Sequence, residues 1–338
     1  MATPIHIFWF RRDLRWEDNA GLYHALYQAK LQGTHVLPIF VFDKTILNQS
    51  EDKADRRVDF IHQTLTRLQG DLVAKGKSLW VKYGTPTEVF EKLFSEFNIS
   101  AVYTNHDYGP KANARDAAIE KLTLKNKATY HHFKDQVIFE KNDIVKADGK
   151  PYLVYTPYMK QWKNHFSNQS LKTYDTKPDL FKLVKQTPVA HSNLSEMGFK
   201  TSSQKIRNYV VTPELIQNYE ATRNFPAQDS TSRLGPHLRF GTVSIRALVK
   251  KATAEKNEIF WQELIWREFF MQILWHFPHS TTQSFKPQYD RIVWRNNESE
   301  FKAWCEGKTG YPLVDAGMRQ LNDTGFMHNR VRMLVGSF

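Results

Sequence analysis

The stretch ELIWREFF, Glu263 to Phe270, sets an acid and a base beside a tryptophan. At helical spacing Glu263, Trp266 and Arg267 stand at i, i+3 and i+4 and project from one face. On a surface helix the acid and base would form an exposed ion pair worth a few tenths of a kcal/mol, with Trp266 packed inward. The surrounding FWQELIWREFFMQILWHF, Phe260 to Phe277, is apolar on nearly every side and predicts a helix enclosed by protein, where a charged pair needs partners or a job. MHNRVRML, Met327 to Leu334, repeats the geometry: Asn329, Arg332 and Met333 stand at i, i+3 and i+4, with Arg330 on another face. Two such helices can line one pocket. A third stretch, DSTSRLGPHLRFGTVS, Asp229 to Ser244, places Thr231 and Ser232 ahead of Arg233, Leu234 and Gly235. Small hydroxyl residues and free backbone N–H groups at a helix start can cradle a diphosphate, and Gly235 would permit close approach. The simpler reading is an ordinary Ser/Thr N-cap.

These residues need a scaffold, and the first third of the chain alternates β-rich runs with helical patterns. The strands are IHIFWF, HVLPIFVFD, SLWVKYG, ISAVYTNHD and TYHHF; between them lie NAGLYHALYQA, RRVDFIHQTLTRLQGDLVAKG, TPTEVFEKLFSEF and a helical stretch from Pro110 to about Lys125. Helices of this length between strands call for right-handed crossovers, a parallel sheet and a doubly wound α/β domain over residues 1–139. No GxGxxG follows any strand, so the usual dinucleotide fingerprint is missing there. Residues 140–203 turn polar, Lys-rich and Pro-containing and read as a solvated connection between domains. From Gln204 helical periodicity takes over in RNYVVTPELIQNY, SIRALVKKATAE, the Phe260 to Phe277 segment and VDAGMRQLN, predicting an all-helical domain over 204–338.

Composition narrows the function classes. Lys plus Arg number 47 against 35 Asp plus Glu, a formal net charge of +12, which favours a polyanionic partner such as nucleic acid. Aromatic residues make up 14% of the chain, including nine Trp, and suit stacking on bases or on a flat cofactor as well as filling a core. Cys305 is the only cysteine, which excludes an internal disulfide and any cysteine cluster for zinc or iron and sulfur. No secretory h-region follows Met1 and no run reaches membrane-spanning length, so the expectation is a soluble, intracellular, cytoplasmic protein.

In this order the pieces resemble the DNA photolyase and cryptochrome family. The resemblance runs from FWFRRDLRWEDNAGL, Phe8 to Leu22, through NYEATRNFPAQDSTSRLGPHLRFG and WQELIWREFF, to EGKTGYPLVDAGMRQLNDTGFMHNRVRM, which ends at Met333. It implies an N-terminal Rossmann-like α/β domain, often with an antenna chromophore, a long linker, and a helical domain holding FAD. It further implies a monomer whose partner is DNA containing pyrimidine dimers.

Carried over position by position, the resemblance makes Tyr219 and the Thr231, Ser232, Arg233, Leu234, Gly235 segment FAD contacts, the segment lying on the diphosphate. It puts Phe260 near the flavin and has Arg267 and Arg332 line the flavin cavity. Glu263, Trp266, Asn329 and Met333 match the floor of the substrate pocket. Arg223 and Arg330 match DNA-contacting positions, with Glu263, Trp266 and Asn329 facing the lesion. Trp294 matches the exposed tryptophan that ends the electron relay to the flavin. Asn329 after His328 departs from the histidine pair expected of a (6-4) enzyme, and the presence of Glu263 and Trp266 departs from plant-type signalling cryptochromes. The resemblance is therefore to a class I enzyme that splits cyclobutane pyrimidine dimers, with a flavin photoreceptor and a flavin-free DNA-binding module as rivals. Ala112 in KANARD stands where some relatives carry a folate-holding glutamate, which argues against folate and leaves the antenna chromophore unidentified. Because the family continues past the point matching Phe338, the helical domain is expected to be incomplete at its C-terminal end.

Overall fold

The computed structural model describes residues 3–167, 171–185 and 192–338. Five strands, β1 (Ile5–Phe10), β2 (His35–Asp43), β3 (Trp80–Gly84), β4 (Ile99–Asn105) and β5 (Thr129–Phe133), form one sheet in the order β3-β2-β1-β4-β5 with every pairing parallel. β1 is central, and His6 to Phe10 are buried, as a strand covered on both faces requires. Side chains alternate across the pleat: Phe8 and Phe10 join one buried layer with Leu22, Leu26 and Leu65, while Ile7 and Trp9 join the other with Phe90 and Ile119. Helices α1 (Ala20–Gln32) and α3 (Arg56–Val73) supply the first layer, and α4 (Pro86–Glu96) and α5 (Pro110–Lys125) the second; the short α2 (Lys44–Leu47) follows β2. The doubly wound α/β architecture is the expected one.

The second half is helical: α6 (Tyr155–Ser167), α7 (Pro213–Thr222), α8 (Gly235–Phe240), α9 (Ile245–Thr253), α10 (Glu258–His276), α11 (Glu298–Glu306), α12 (Pro312–Thr324) and α13 (Asn329–Ser337). Two corrections follow. The segment 140–203 is more than a solvated connection, because it contains α6, whose Tyr158 and Trp162 are buried in the core built around Phe260, Leu264, Ile265 and Phe269. The aromatics at 155, 158 and 162 carry helical spacing, but the lysines and prolines around them make the window read as polar. The expected helix in RNYVVTPELIQNY begins only at Pro213, where Thr212 caps the Leu215 N–H and Pro sits in the first turn; β-branched Val210 and Val211 stay outside it.

The two halves are locked by arginines of FWFRRDLRW. Leu14 N–H donates to Phe240 O (3.0 Å), Arg12 Nε to Arg239 O (3.1 Å) and Arg15 to Gly241 O (3.1 Å), so α8 ends on the α/β domain. Gly241 lies at φ +66°, and a Cβ there would fall 2.1 Å from Arg12 O, so only glycine allows this approach. Deeper in, fully buried Asp135 accepts from Arg15 (2.7 Å) and Arg246 (2.8 Å), and Arg246 also pairs with Asp18 (3.0 Å). Burial would raise the Asp135 carboxyl, but the two guanidiniums hold it below its usual value.

Candidate functional site

α10 is apolar on nearly all sides, as its sequence predicts, and it is wedged between α6, α7 and α9. Asn257 caps its start by accepting from Ile259 N–H. The simple Glu263–Arg267 surface pair does not form. Glu263 instead accepts from Arg223 at the end of α7, Nη1 to Oε1 2.6 Å, with the two side chains 36% and 23% exposed. Arg267 points the other way and donates to Gln136 O (2.7 Å) and Leu238 O (3.3 Å), carbonyls of the segment leaving the sheet and of α8. Burial, with Arg12 close by, lowers the Arg267 guanidinium to about 10, while Glu268 and Tyr108 pull upward. The helical-wheel argument fails here because a side chain of this length chooses its partner from the tertiary surroundings.

Of the other expected residues, Tyr219, Phe260 and Arg330 connect to the Arg223–Glu263 pair through α7, whereas Arg332 and Trp294 do not. Tyr219 meets Phe260 edge-on with ring centroids 5.3 Å apart, and Arg223 lies over the Tyr219 ring at 5.8 Å. Arg330 Nε donates to Asn224 Oδ1 (2.8 Å), one residue beyond Arg223, and its Nη1 lies 3.3 Å from Met333 Sδ, which Asn329 also approaches at 4.0 Å. Arg332 and Met333 are exposed on α13. Trp294 lies outside any helix or strand and is 68% exposed.

Thr231 and Arg233 line a separate cleft of roughly 190 Å³ with Arg207, Asp229, Phe326 and His328. Neither Thr231 nor Ser232 caps α8: the cap position is Leu234, which makes no side-chain capping bond, so the N-cap reading is overturned. Arg233 takes a left-handed backbone (φ +54°), pairs with Asp229 (2.7 Å) and stacks its guanidinium on Phe326 at 4.2 Å. A Cβ added to Gly235 would meet nothing within 4 Å, so the approach to the first turn is open. His328, buried at 3%, accepts from Arg330 N–H through Nδ1 (3.1 Å), which leaves the proton on Nε2, on the side of the Arg223 carbonyl. Burial lowers this imidazole, with Arg330 adding to the effect and the Arg223 carbonyl opposing it. The uncrowded first turn of α8 and the Arg233 guanidinium at this cleft suit an anionic group such as a diphosphate.

Two residues escaped the sequence reading. Glu268, one position past Arg267, is buried and accepts from Ile138 N–H (2.6 Å), Phe139 N–H (2.9 Å) and Trp162 Nε1 (2.5 Å). Burial raises its carboxyl to about 7 against the pull of these donors and of Arg267. Tyr155 of α6 stacks on Trp266 with centroids 3.6 Å apart and planes 8° from parallel. The signal for Glu268 was an acid within an apolar run, and that for Tyr155 was the aromatic spacing within α6. Among the described residues no group of His, Cys, Asp or Glu is placed to hold a metal ion, and no helix is long and apolar enough to cross a membrane.

Residues 6–179 match the family profile of DNA photolyase, and residues 260–338 match that of the FAD binding domain of DNA photolyase. The chain is similar to the deoxyribodipyrimidine photo-lyase of Synechococcus sp., 34% identical over all of this chain and 74% of the relative. Among solved structures it is similar to a class III photolyase from Agrobacterium tumefaciens (TM-score 0.83, 29% identity, 100% of this chain and 73% of that one). It is also similar to a photolyase from Sulfolobus tokodaii described with two FAD molecules (TM-score 0.79, 31% identity, 98% of this chain and 73% of that one).

Proposed function

The chain belongs to the DNA photolyase family, and on that premise we propose that it repairs DNA by light-driven splitting of cyclobutane pyrimidine dimers. One observation supports this reading above the rest: α10 presents Glu263 and Trp266 on the side where Arg223 and Arg330 converge, an acid and an indole plane beside two cations. The two arginines suit the phosphates flanking a flipped dinucleotide, and the net charge of +12 favours the encounter with DNA. Flipping costs less at a lesion that already pairs poorly, which contributes selectivity, and Trp266 supplies a surface on which the exposed dimer can stack. A phosphate at Arg223 competes with Glu263 for that guanidinium and so frees the carboxyl for the lesion. In its protonated form Glu263 would donate a hydrogen bond to a pyrimidine carbonyl, where negative charge grows as the dimer opens, and a contact that strengthens with that charge lowers the barrier.

FAD fits the residues present. Thr231, Ser232, Arg233, Leu234 and Gly235 would hold its diphosphate with His328 in the same cleft, and Tyr219, Phe260, Arg267 and Arg332 would adjoin the rest. When bound, reduced FAD supplies on illumination the electron that opens the cyclobutane ring. Trp294, exposed at the surface, is the expected entry point for electrons that keep the cofactor reduced.

The test is the purified chain supplied with FAD and reductant, mixed with an oligonucleotide carrying one thymine dimer, in blue light and in darkness. Light-dependent restoration of the two thymines, abolished in the dark, is expected. Retention of FAD with damaged DNA bound and no repair in light would overturn the proposal in favour of a photoreceptor.

A further inference from the structure

The lesion-stacking role of Trp266 depends on an indole held at one angle, and the structure shows what holds it. Tyr155 covers one face at 3.6 Å, Phe269 meets the ring edge-on at 5.8 Å, and Phe270 lies at 5.6 Å with planes 24° apart. Tyr155 is fixed in turn. Its hydroxyl donates to Gln262 O (2.8 Å), and its ring packs edge-on against Phe269 (5.9 Å, 73°). In a regular α-helix Gln262 O is also the acceptor for the Trp266 N–H, so one side chain braces both the backbone turn and the ring of Trp266. Further along α6, Tyr158 and Trp162 are each 1% exposed, and Trp162 donates to Glu268 of α10. α6 therefore cannot slide along α10 without breaking a buried hydrogen bond. Burial and the nearby Glu263 charge keep the Tyr155 hydroxyl above its usual titration range, with Arg223 opposing, so it remains a donor at neutral pH.

We propose that Tyr155 is the positioning residue for Trp266: it locks the indole in the orientation that presents the part of the ring left uncovered by Tyr155 and Phe270 to a flipped pyrimidine dimer, and it does not itself touch the lesion. The proposal rests on the repair reading given above. Without Tyr155 the indole regains rotamers that must be frozen again on binding, a loss of about 2- to 12-fold for one side chain. Removal of Trp266 itself takes away the stacking surface, a loss of about 5- to 150-fold.

The experiment measures the ratio of affinities for thymine-dimer and undamaged oligonucleotides at fixed salt, for the parent and for Tyr155→Phe, Tyr155→Leu, Tyr155→Ala, Trp266→Ala and the Tyr155→Ala/Trp266→Ala double variant. Tyr155→Leu fills the space without a flat ring and serves where the alanine variant fails to fold. Leu and Ala are expected to lower the ratio about 2- to 12-fold with undamaged binding unchanged, Phe to retain it, and the Tyr155 effect to vanish without Trp266. A Tyr155→Leu protein with the parent ratio, while Trp266→Ala loses it, would overturn this proposal and leave the repair reading standing. A raised ratio in Leu or Ala would also overturn it, because Tyr155 would then occupy the lesion's place. A parent ratio in Trp266→Ala would overturn the stacking role and this proposal together.

Discussion

Glu268→Gln isolates the cost of burying an acid in the middle of α10. The Glu268 carboxyl is raised from 4.5 to about 7, chiefly by burial, against donors at 2.6, 2.9 and 2.5 Å. Between those two values the folded chain keeps a proton that the unfolded chain has lost. Stability therefore falls as pH rises, by about 1.4 kcal/mol per pH unit, and levels off above the folded value. Over the whole interval this single group costs roughly 3 kcal/mol. Glutamine does not titrate, so the stability advantage of the parent over Glu268→Gln should shrink by roughly 3 kcal/mol between about pH 4.5 and about pH 7.5. The variant also turns an amide N–H₂ toward a backbone N–H that had an acceptor, a loss of about 1–3 kcal/mol, but this offset does not vary with pH and drops out of the slope. Urea unfolding followed by tryptophan fluorescence, with both proteins in matched buffers across the pH range, measures the difference. A difference that stays flat would refute the reasoning and show that the three donors and Arg267 keep Glu268 ionised throughout.

Three further outcomes follow from the geometry. Glu263→Ala should lower light-driven splitting markedly with FAD content unchanged, while Glu263→Gln, which keeps a neutral donor, should cost repair only modestly; product formed per absorbed photon measures both, and parent-like repair by the alanine variant would make Glu263 structural. Arg330→Ala should weaken damaged and undamaged DNA alike and make the slope of log affinity against log salt shallower by about one, as loss of one phosphate contact requires; an unchanged slope removes Arg330 from the interface. Asp135→Asn should destabilise the chain by about 3–5 kcal/mol, because Arg15 and Arg246 lose their buried counter-charge. In the parent that clamp is fully present above the usual Asp value of 3.8 and is lost as pH falls through the depressed one, so acid unfolding curves of the two proteins should converge at low pH.

Much of the architecture was legible because period is a local property. The strands IHIFWF and HVLPIFVFD are apolar runs that only a sheet covered on both faces can bury, and TPTEVFEK carries its own capping box, with Thr85 and Glu88 bonding each other's backbone. The helix at Phe260 to Phe277 and the segments beginning at Ser244 and Pro312 likewise follow from spacing and caps. α6 was hidden because lysines and prolines dilute its aromatic spacing, and its helix is stabilised by what Tyr158 and Trp162 meet on α10.

Within the site, the sequence by itself determined which residues share a helix face, since 3.6 residues per turn places Glu263 beside Trp266 and Asn329 beside Met333 wherever those helices lie. It could not decide partners. That Glu263 takes Arg223, forty positions away, and leaves Arg267 to two backbone carbonyls depends on how α7, α8 and α10 pack. The same holds for the arginines of FWFRRDLRW, which clamp the end of α8 to the sheet domain, and for Tyr155, which braces Trp266 from another helix. Hydrogen bonds, ion pairs and ring stacks are contacts of a few ångströms between residues far apart in the chain, so only the tertiary structure could assign them.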